Sequence, residues 1–387
     1  MKVKLGDIFE ISSGGTPSKL HPEYYGGSIP WVKTGDLKNK YLYKVEDYIT
    51  EEGLNSSSTK IYEEGTVLIA MYGATIGATS ILKMSACTNQ ACAAFKKNDK
   101  VIPEYLYYFL RSQKNKFSKD GVGGAQPNIS ARYLKKVEIE MLSLNKQKEI
   151  INILDMVSDI ICKKNYEIQV LDELVKARFV ELFGEPNTNP YGWMQTTVGD
   201  VCEIIDGDRG KNYPKADDFS DKGYCLFLNA KNVTSSGFNF DDCVFISKEK
   251  DEAMRKGKLS RGDVVLTTRG TIGNLAFYTD DILFENVRIN SGMVIIRIKR
   301  DILDEIYFIE QFKMQLSIIK EKIASGSAQP QLPISTMNKI QILIPTIQLQ
   351  NQFADFVSEV DKSREIVQKK IDAYQELFDK LMQEYFG

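Results

Sequence analysis

Leu5-Gly6-Asp7-Ile8-Phe9-Glu10-Ile11 returns as Val198-Gly199-Asp200-Val201-Cys202-Glu203-Ile204, and Ala125-Gln126-Pro127 returns as Ala328-Gln329-Pro330. From Gln126 and Gln329 to Gly184 and Gly387 the offset stays at 203 positions, so Leu182-Phe183-Gly184 falls on Tyr385-Phe386-Gly387. Each copy is a mixed segment followed by a long run with heptad patterning and neither Pro nor Gly. An internal repeat of this size means two similar heads carried on two similar helices.

The chain has 387 residues, 43% hydrophobic and 26% charged, with a formal net charge of -2. That length exceeds one ordinary core, and the repeat selects two domains. No apolar run is long enough to span a bilayer. Met1-Lys2-Val3-Lys4 leads directly into the first repeat, so no signal peptide is expected and the expected location is cytoplasmic. The cysteines at 87, 92, 162, 202, 225 and 243 form no C-x-x-C pair and read as reduced, buried thiols. Near-neutral net charge is awkward for a nucleic-acid binder but does not exclude one, because only the field over the contact surface attracts phosphate.

Gly65-Thr66-Val67-Leu68-Ile69-Ala70-Met71-Tyr72-Gly73 and Gly262-Asp263-Val264-Val265-Leu266-Thr267-Thr268-Arg269-Gly270 read as buried strands closed by glycine turns. Ala93-Ala94-Phe95, residues 294–298, 136–141 and 339–344 read as further strands, and residues 104–116 and 304–323 as helices. Strands and helices without strict alternation give an α+β class: two mixed heads separated by two long antiparallel coiled-coil helices. The boundaries expected are a first head over 1–144, a helix over 145–184 with Asn145 as its N-cap, a linker over 185–196, a second head over 197–347 and a helix over 348–387.

In the first helix Leu154, Val157, Ile161, Lys164, Ile168, Leu171, Val175, Arg178 and Leu182 step by 3 and 4, and Val357, Val360, Arg364, Val367, Ile371, Tyr374, Phe378, Leu381 and Tyr385 follow in the second. Thirty-eight residues at about 1.5 Å each make a rod of roughly 57 Å. The short linker enters the second head from the far end of the first helix, so the second helix must run back along the first. Two heads related by an approximate two-fold axis suit half-sites about 34 Å apart, or a multiple of that, on a straight duplex.

Catalytic signatures are missing. The single histidine, His21, lies between Leu20 and Pro22 and reads as a loop residue. Gly73-Ala74-Thr75-Ile76-Gly77 and Gly270-Thr271-Ile272-Gly273 lack the lysine of a phosphate loop and read as tight turns. Asn189-Pro190-Tyr191 reads as linker. Cations do gather: Arg111, Lys114, Lys116, Lys119, Arg132, Lys135 and Lys136 around the 121–128 loop, with Asp120 opposing them, and Arg255, Lys256, Lys258, Arg261 and Arg269 in the second half. Such groups neutralise phosphates, while Asn and Gln pair with adenine and Arg with guanine. The bland reading of each one singly is a solvated surface charge.

Head, long helix, head, long helix, with Gly-Asp-Ile/Val near each start, a Gly-x-x-Gly turn and Gly-x-Ala-Gln-Pro before each helix, resembles the specificity subunit of type I restriction-modification enzymes over the whole chain. The resemblance implies a non-catalytic, sequence-specific DNA-recognition subunit, each head a target recognition domain reading one half of an asymmetric bipartite target. It implies that the helices fix the spacing and dock two adenine-methyltransferase subunits, with restriction subunits as further partners and no membrane. The chain itself would bind no cofactor or metal; S-adenosylmethionine, ATP and Mg2+ would serve the partner subunits. The family's loops fall on Gly73, Gly77, Gln126, Pro127, Gly270, Gly273, Gln329 and Pro330, and on the segments 13–17 and 208–211. Leu142 departs from the family's proline, present at Pro345. Candidate DNA contacts are Lys33, Tyr72, Asn89, Gln126 and Asn128 in the first head, and Arg209, Lys211, Lys231, Arg269, Asn290 and Gln331 in the second. The competing readings are a scaffold whose heads bind peptides and a hidden nuclease or methyltransferase.

Overall fold

The computed structural model describes residues 1–121, 128–324 and 331–387, with only the backbone described at 317, 318 and 320–324. The chain divides into two compact units, Met1–Tyr166 with Gln368–Gly387, and Glu167–Val367. Each unit therefore holds one head together with parts of both long helices, which run over Leu144–Phe183 and Ile347–Phe386.

In the first unit a five-stranded sheet has the order Ile11–Ser13, Cys92–Phe95, Val67–Ala70, Thr79–Leu82, Tyr41–Leu42, antiparallel except for the last pair. A three-stranded sheet places Tyr25–Val32 between Tyr48–Ile49 and Cys87–Thr88, and Lys2–Lys4 pairs with Glu138–Glu140. Val67–Ala70 has no polar alternation because the sheet is covered on both faces. Val67 and Ile69 join the cluster of Leu5, Phe9, Tyr105 and Phe109. Leu68 and Ala70 join Val32, Leu37 and Leu42.

The second unit repeats this topology. Its four-stranded antiparallel sheet is Cys202–Asp206, Met293–Ile298, Val264–Thr267, Leu275–Phe277. Cys225–Leu228 lies between Phe245–Ile246 and Val287–Ile289, and Met194–Thr197 pairs with Gln341–Ile344. Val264 and Leu266 face one core while Val265 faces the other. The parallel strand Tyr41–Leu42 belongs to the first head, and the hairpin Val233–Thr234 with Gly237–Phe238 to the second.

The long helices are antiparallel within each unit. In the first, Ile150, Leu154 and Val157, early in the first helix, share a core with Phe378 and Phe386, late in the second. In the second unit the late residues Val175, Phe179 and Phe183 meet the early residues Phe353, Val357 and Val360. Strict 3-4 stepping placed Arg178 and Leu182 on the seam, but Phe179 and Phe183 are the fully buried pair. The helix meets a head as well as a helix there, which widens its apolar stripe. Arg178 lies over the Phe356 ring, 5.9 Å from its centroid, and the seam cation Arg364 pairs with Asp172 at 2.6 Å.

Asn145 is not the N-cap of the first long helix. The helix starts at Leu144, and Ser143 accepts the N–H of Lys146 at its hydroxyl and of Gln147 at its carbonyl. Cys162 is exposed, against the expectation of burial, because it points away from the packed face; Cys87, Cys92, Cys202 and Cys225 are buried and Cys243 half-buried. Burial pushes the Cys92, Cys202 and Cys225 thiols up to about 12.

One buried glutamine in each unit anchors the start of a long helix. Gln147 accepts the Ile102 N–H at 2.9 Å and donates to the carbonyls of Lys100 and Leu142, both at 3.0 Å. Gln350 does the same with Asp304, Ile302 and Pro345. Changing Gln147 to Leu leaves three part-buried backbone groups without their partner, and a total loss of about 1–3 kcal/mol is expected. Chemical denaturation of the full chain checks this, and an unchanged midpoint would count against it. In the first unit, Asp155 on the long helix also takes hydrogen bonds from Lys40 and Tyr108. Lys40 Nζ stands 4.8 to 5.8 Å from the rings of Tyr41, Tyr107 and Tyr108.

Candidate nucleic-acid interface

In the first head the strand Val67–Ala70 runs through Met71 and Tyr72 into a glycine turn. Gly73 and Gly77 have φ of 65° and 80°, and in the second head Gly270 and Gly273 have 70° and 82°, a region that L side chains avoid. The Ile129 N–H donates to the Met71 carbonyl at 3.0 Å and the Met71 N–H to Ala91 at 2.8 Å. Tyr72 and Asn128 form an isolated antiparallel bridge, and Tyr72 is 41% exposed. The 72, 89 and 128 segments are thereby tied to one place. Asn89 donates its own N–H to Val32 at 3.0 Å, and its Oδ1 accepts the Ala91 N–H at 3.1 Å.

The second head builds the same site with other side chains. Leu332 N–H donates to Thr268 at 3.1 Å, Thr268 N–H to Gly292 at 2.9 Å, and Arg269 bridges with Gln331. Asn290 donates to Leu228 at 3.2 Å and accepts the Gly292 N–H at 2.9 Å. Arg209 reaches the same loop, its guanidinium donating to the Ser291 carbonyl at 3.3 Å and to Asp206 at 3.2 Å. Lys211 is exposed on the following turn. Tyr72 thus corresponds to Arg269, Asn89 to Asn290 and Asn128 to Gln331.

Other candidates stand apart from this pattern. Gln126 lies outside the described residues, as do Pro127, Gln329 and Pro330. The counterpart of Lys33 is Asn229, since Val32 and Leu228 hold equivalent bonds. Lys33 pairs with Asp47 at 2.7 Å and sits 5.1 Å from the Trp31 ring centroid. Lys231 pairs with Asp242 at 2.9 Å, which raises its pKa above the usual range.

Two cations of the 255–269 group work inside the fold. Arg261 donates to the carbonyls of Thr279 at 2.5 Å and Ile282 at 2.9 Å and lies 4.2 Å from the Tyr278 ring centroid. Lys258 pairs with the buried Asp251 at 2.5 Å. Asp208, which the sequence reading placed in the 208–211 loop without giving it a role, is buried in the turn bearing Arg209. Burial pushes its carboxyl up, but the N–H groups of Gly210, Arg255 and Lys256 outweigh this and hold it below the usual carboxylate range.

His21 is exposed, paired with Glu23 at 2.9 Å and stacked on Tyr24. Asn189 takes a φ of 44°, and its side chain bonds both the N–H and the carbonyl of Trp193 at 2.9 Å, which makes the 189–193 segment a turn. Among the described residues no three His, Cys, Asp or Glu side chains stand as a metal-binding group. No helix among them is long and apolar enough to cross a membrane.

Amide, guanidinium and phenol groups on converging loops are the donors and acceptors that read base edges. The family described as "Type I restriction modification DNA specificity domain" matches residues 1–171 and 190–374, once per repeat. The chain belongs to this family. It is a type I restriction-modification specificity subunit with target recognition domains, and DNA target recognition is its role. It is 27% identical over 403 residues to the type I restriction enzyme MjaIX specificity subunit of Methanocaldococcus jannaschii, covering 98% of this chain and 90% of that one. It is 30% identical over 157 residues, 39% of each chain, to the EcoR124I/EcoR124II specificity subunit of Escherichia coli.

Two solved structures share the fold. The type I restriction-modification S subunit from M. genitalium matches with a TM-score of 0.53 at 16% identity, covering 100% of this chain and 96% of that one. A chain from the structure titled as the basis of complex assembly and conformational transition of the type I R-M system matches with a TM-score of 0.59 at 14% identity, covering 100% and 97%. These likenesses concern the fold alone.

Proposed function

We propose that this specificity subunit reads an asymmetric bipartite DNA target, one half-site per head, and docks two adenine-methyltransferase subunits on its long helices, which set the half-site separation. The observation that carries this is the duplicated loop site with unlike side chains, Tyr72 with Asn128 in one head and Arg269 with Gln331 in the other. One backbone frame bearing different donors reads different sequences. In this reading the subunit is non-catalytic and binds no cofactor. S-adenosylmethionine belongs to the modification partners, and ATP with Mg2+ to restriction partners.

Methylome sequencing of cells with and without the chain tests the reading. A split motif methylated only in its presence is expected, and an unsplit or unchanged methylome would overturn it. On a duplex carrying that motif, Arg269→Ala should weaken binding by about 1–3 kcal/mol and relax the preference in one half-site. Tyr72→Ala should relax the other. Sequence preference unchanged in both variants would remove these residues from the interface.

A further inference from the structure

Arg209, Lys211, Arg255 and Lys256 are exposed cations on two segments of the second head that one buried carboxylate joins. Asp208 is 4% exposed; its Oδ1 accepts the Gly210 N–H and its Oδ2 the Arg255 N–H, both at 2.7 Å. Asn212 adds a second tie by donating to the Ala253 carbonyl at 2.8 Å. From the other side Arg288 donates to the Lys256 carbonyl at 2.7 Å. A Cβ placed on Gly210 would stand 3.0 Å from Arg255 Nη2, so the guanidinium lies against the 208–211 turn. Arg209 in turn reaches Ser291, beside the Asn290 and Arg269 loops.

The first head has a related backbone approach without the buried carboxylate. A Cβ on Gly14 would meet the Thr88 carbonyl, one residue before Asn89, where one on Gly207 would meet the carbonyl of Asn290. The next residue, Gly15, stands where Asp208 does and rests against Ser58 and Thr59. At the positions aligned with Arg209 and Lys211 the first head has Thr16 and Ser18, and residues 55–59 contain no Lys or Arg; its nearest exposed cations are Lys19 and Lys60.

We propose that Arg209, Lys211, Arg255 and Lys256 form a platform for DNA phosphates found in the second head and not the first, and that Asp208 is its positioning residue. The proposal rests on the DNA reading above. Four long cations beside the base-reading loops suit phosphate oxygens, and contacts of this kind fix register on the duplex without specifying sequence. Asp208 opposes DNA by its charge, so its positioning role and its electrostatic effect predict opposite outcomes on removal.

Binding of the full chain to a duplex carrying the methylated split motif is measured against salt for the unchanged protein, Asp208→Ala and Asp221→Ala. Both variants remove one negative charge, and Asp221 is an exposed acid of the same head. Asp221→Ala should bind as tightly as the parent or tighter, with the same salt slope. Asp208→Ala should bind about tenfold more weakly, with a slope shallower by about two, the counterions of two lost phosphate contacts. If Asp208→Ala behaves like Asp221→Ala, the proposal is overturned.

If Asp208→Ala fails to fold, the double variant Arg255→Ser with Lys256→Ser, which removes two exposed cations, decides the matter. A slope shallower by about two supports the platform and an unchanged slope sinks it. Failure of the parent protein to prefer the motif duplex over a scrambled one would instead remove the DNA reading itself.

Discussion

Asp251→Asn is expected to destabilise the second unit by about 3–5 kcal/mol, the cost of leaving a buried charge without its partner. Asp251 and Arg288 are both buried, with Arg288 Nε 2.5 Å from the Asp251 carboxylate and Nη2 on the carbonyls of Asp251 and Met254. Burial pushes the Asp251 carboxyl up, but Lys258 and Arg288 overcome it and hold the group below its usual value. A carboxylate whose pKa is lower folded than unfolded stabilises fully above its ordinary value near 3.8 and loses that contribution as pH falls through the folded value. The parent should therefore lose stability across the acid range below pH about 4 more steeply than Asp251→Asn. Urea titrations at neutral and acid pH check both; equal midpoints at neutral pH would remove the ion pair from the list of determinants.

Phe353→Ala should cost a similar amount, about 3–5 kcal/mol, by opening a cavity in a closely packed ring cluster. Phe353 is fully buried and stands edge-on to Phe179 and Phe183, each with its ring centroid 5.5 Å away. Phe179 also stacks on Tyr307, whose hydroxyl donates to the Leu343 carbonyl at 3.0 Å. Because the cluster draws on both long helices and the head, its loss should lower the melting of the whole second unit. Local fraying confined to the second helix would contradict that shared core. Phe353→Leu, which retains most of the volume, should cost less.

The repeat was legible because duplication preserves the residues that terminate strands and helices. Gly73 and Gly270, at positive φ, and the apolar strands before them mark the same turns in both copies. The antiparallel helices followed from connectivity alone. What the sequence concealed were polar residues with buried work. Gln147 and Gln350 drew no reading from sequence, since a glutamine's burial depends on carbonyls supplied by other segments. Lys258 and Arg261 read as clustered surface cations and Asp251 and Arg288 drew no reading, because their partners lie in loops whose approach only the fold determines. The shared loop frame was legible where the repeat aligned it, since Tyr72 and Arg269, and Asn89 and Asn290, hold equivalent backbone positions in the two heads. Lys231 has no equivalent in the first head's frame and pairs with Asp242.

The division of the chain has a consequence for its synthesis. The second unit is one continuous stretch, Glu167–Val367, whereas the first combines Met1–Tyr166 with Gln368–Gly387. Phe378 and Phe386 cover Tyr105, Tyr108 and Phe109. As the polypeptide leaves the ribosome, the N-terminal body must wait through some two hundred further residues for its last wall, while the later-made body already has every part it needs. The aromatic face of Tyr105, Tyr108 and Phe109 therefore stays without this cover until the chain is complete, and surface left open in that way is prone to aggregation.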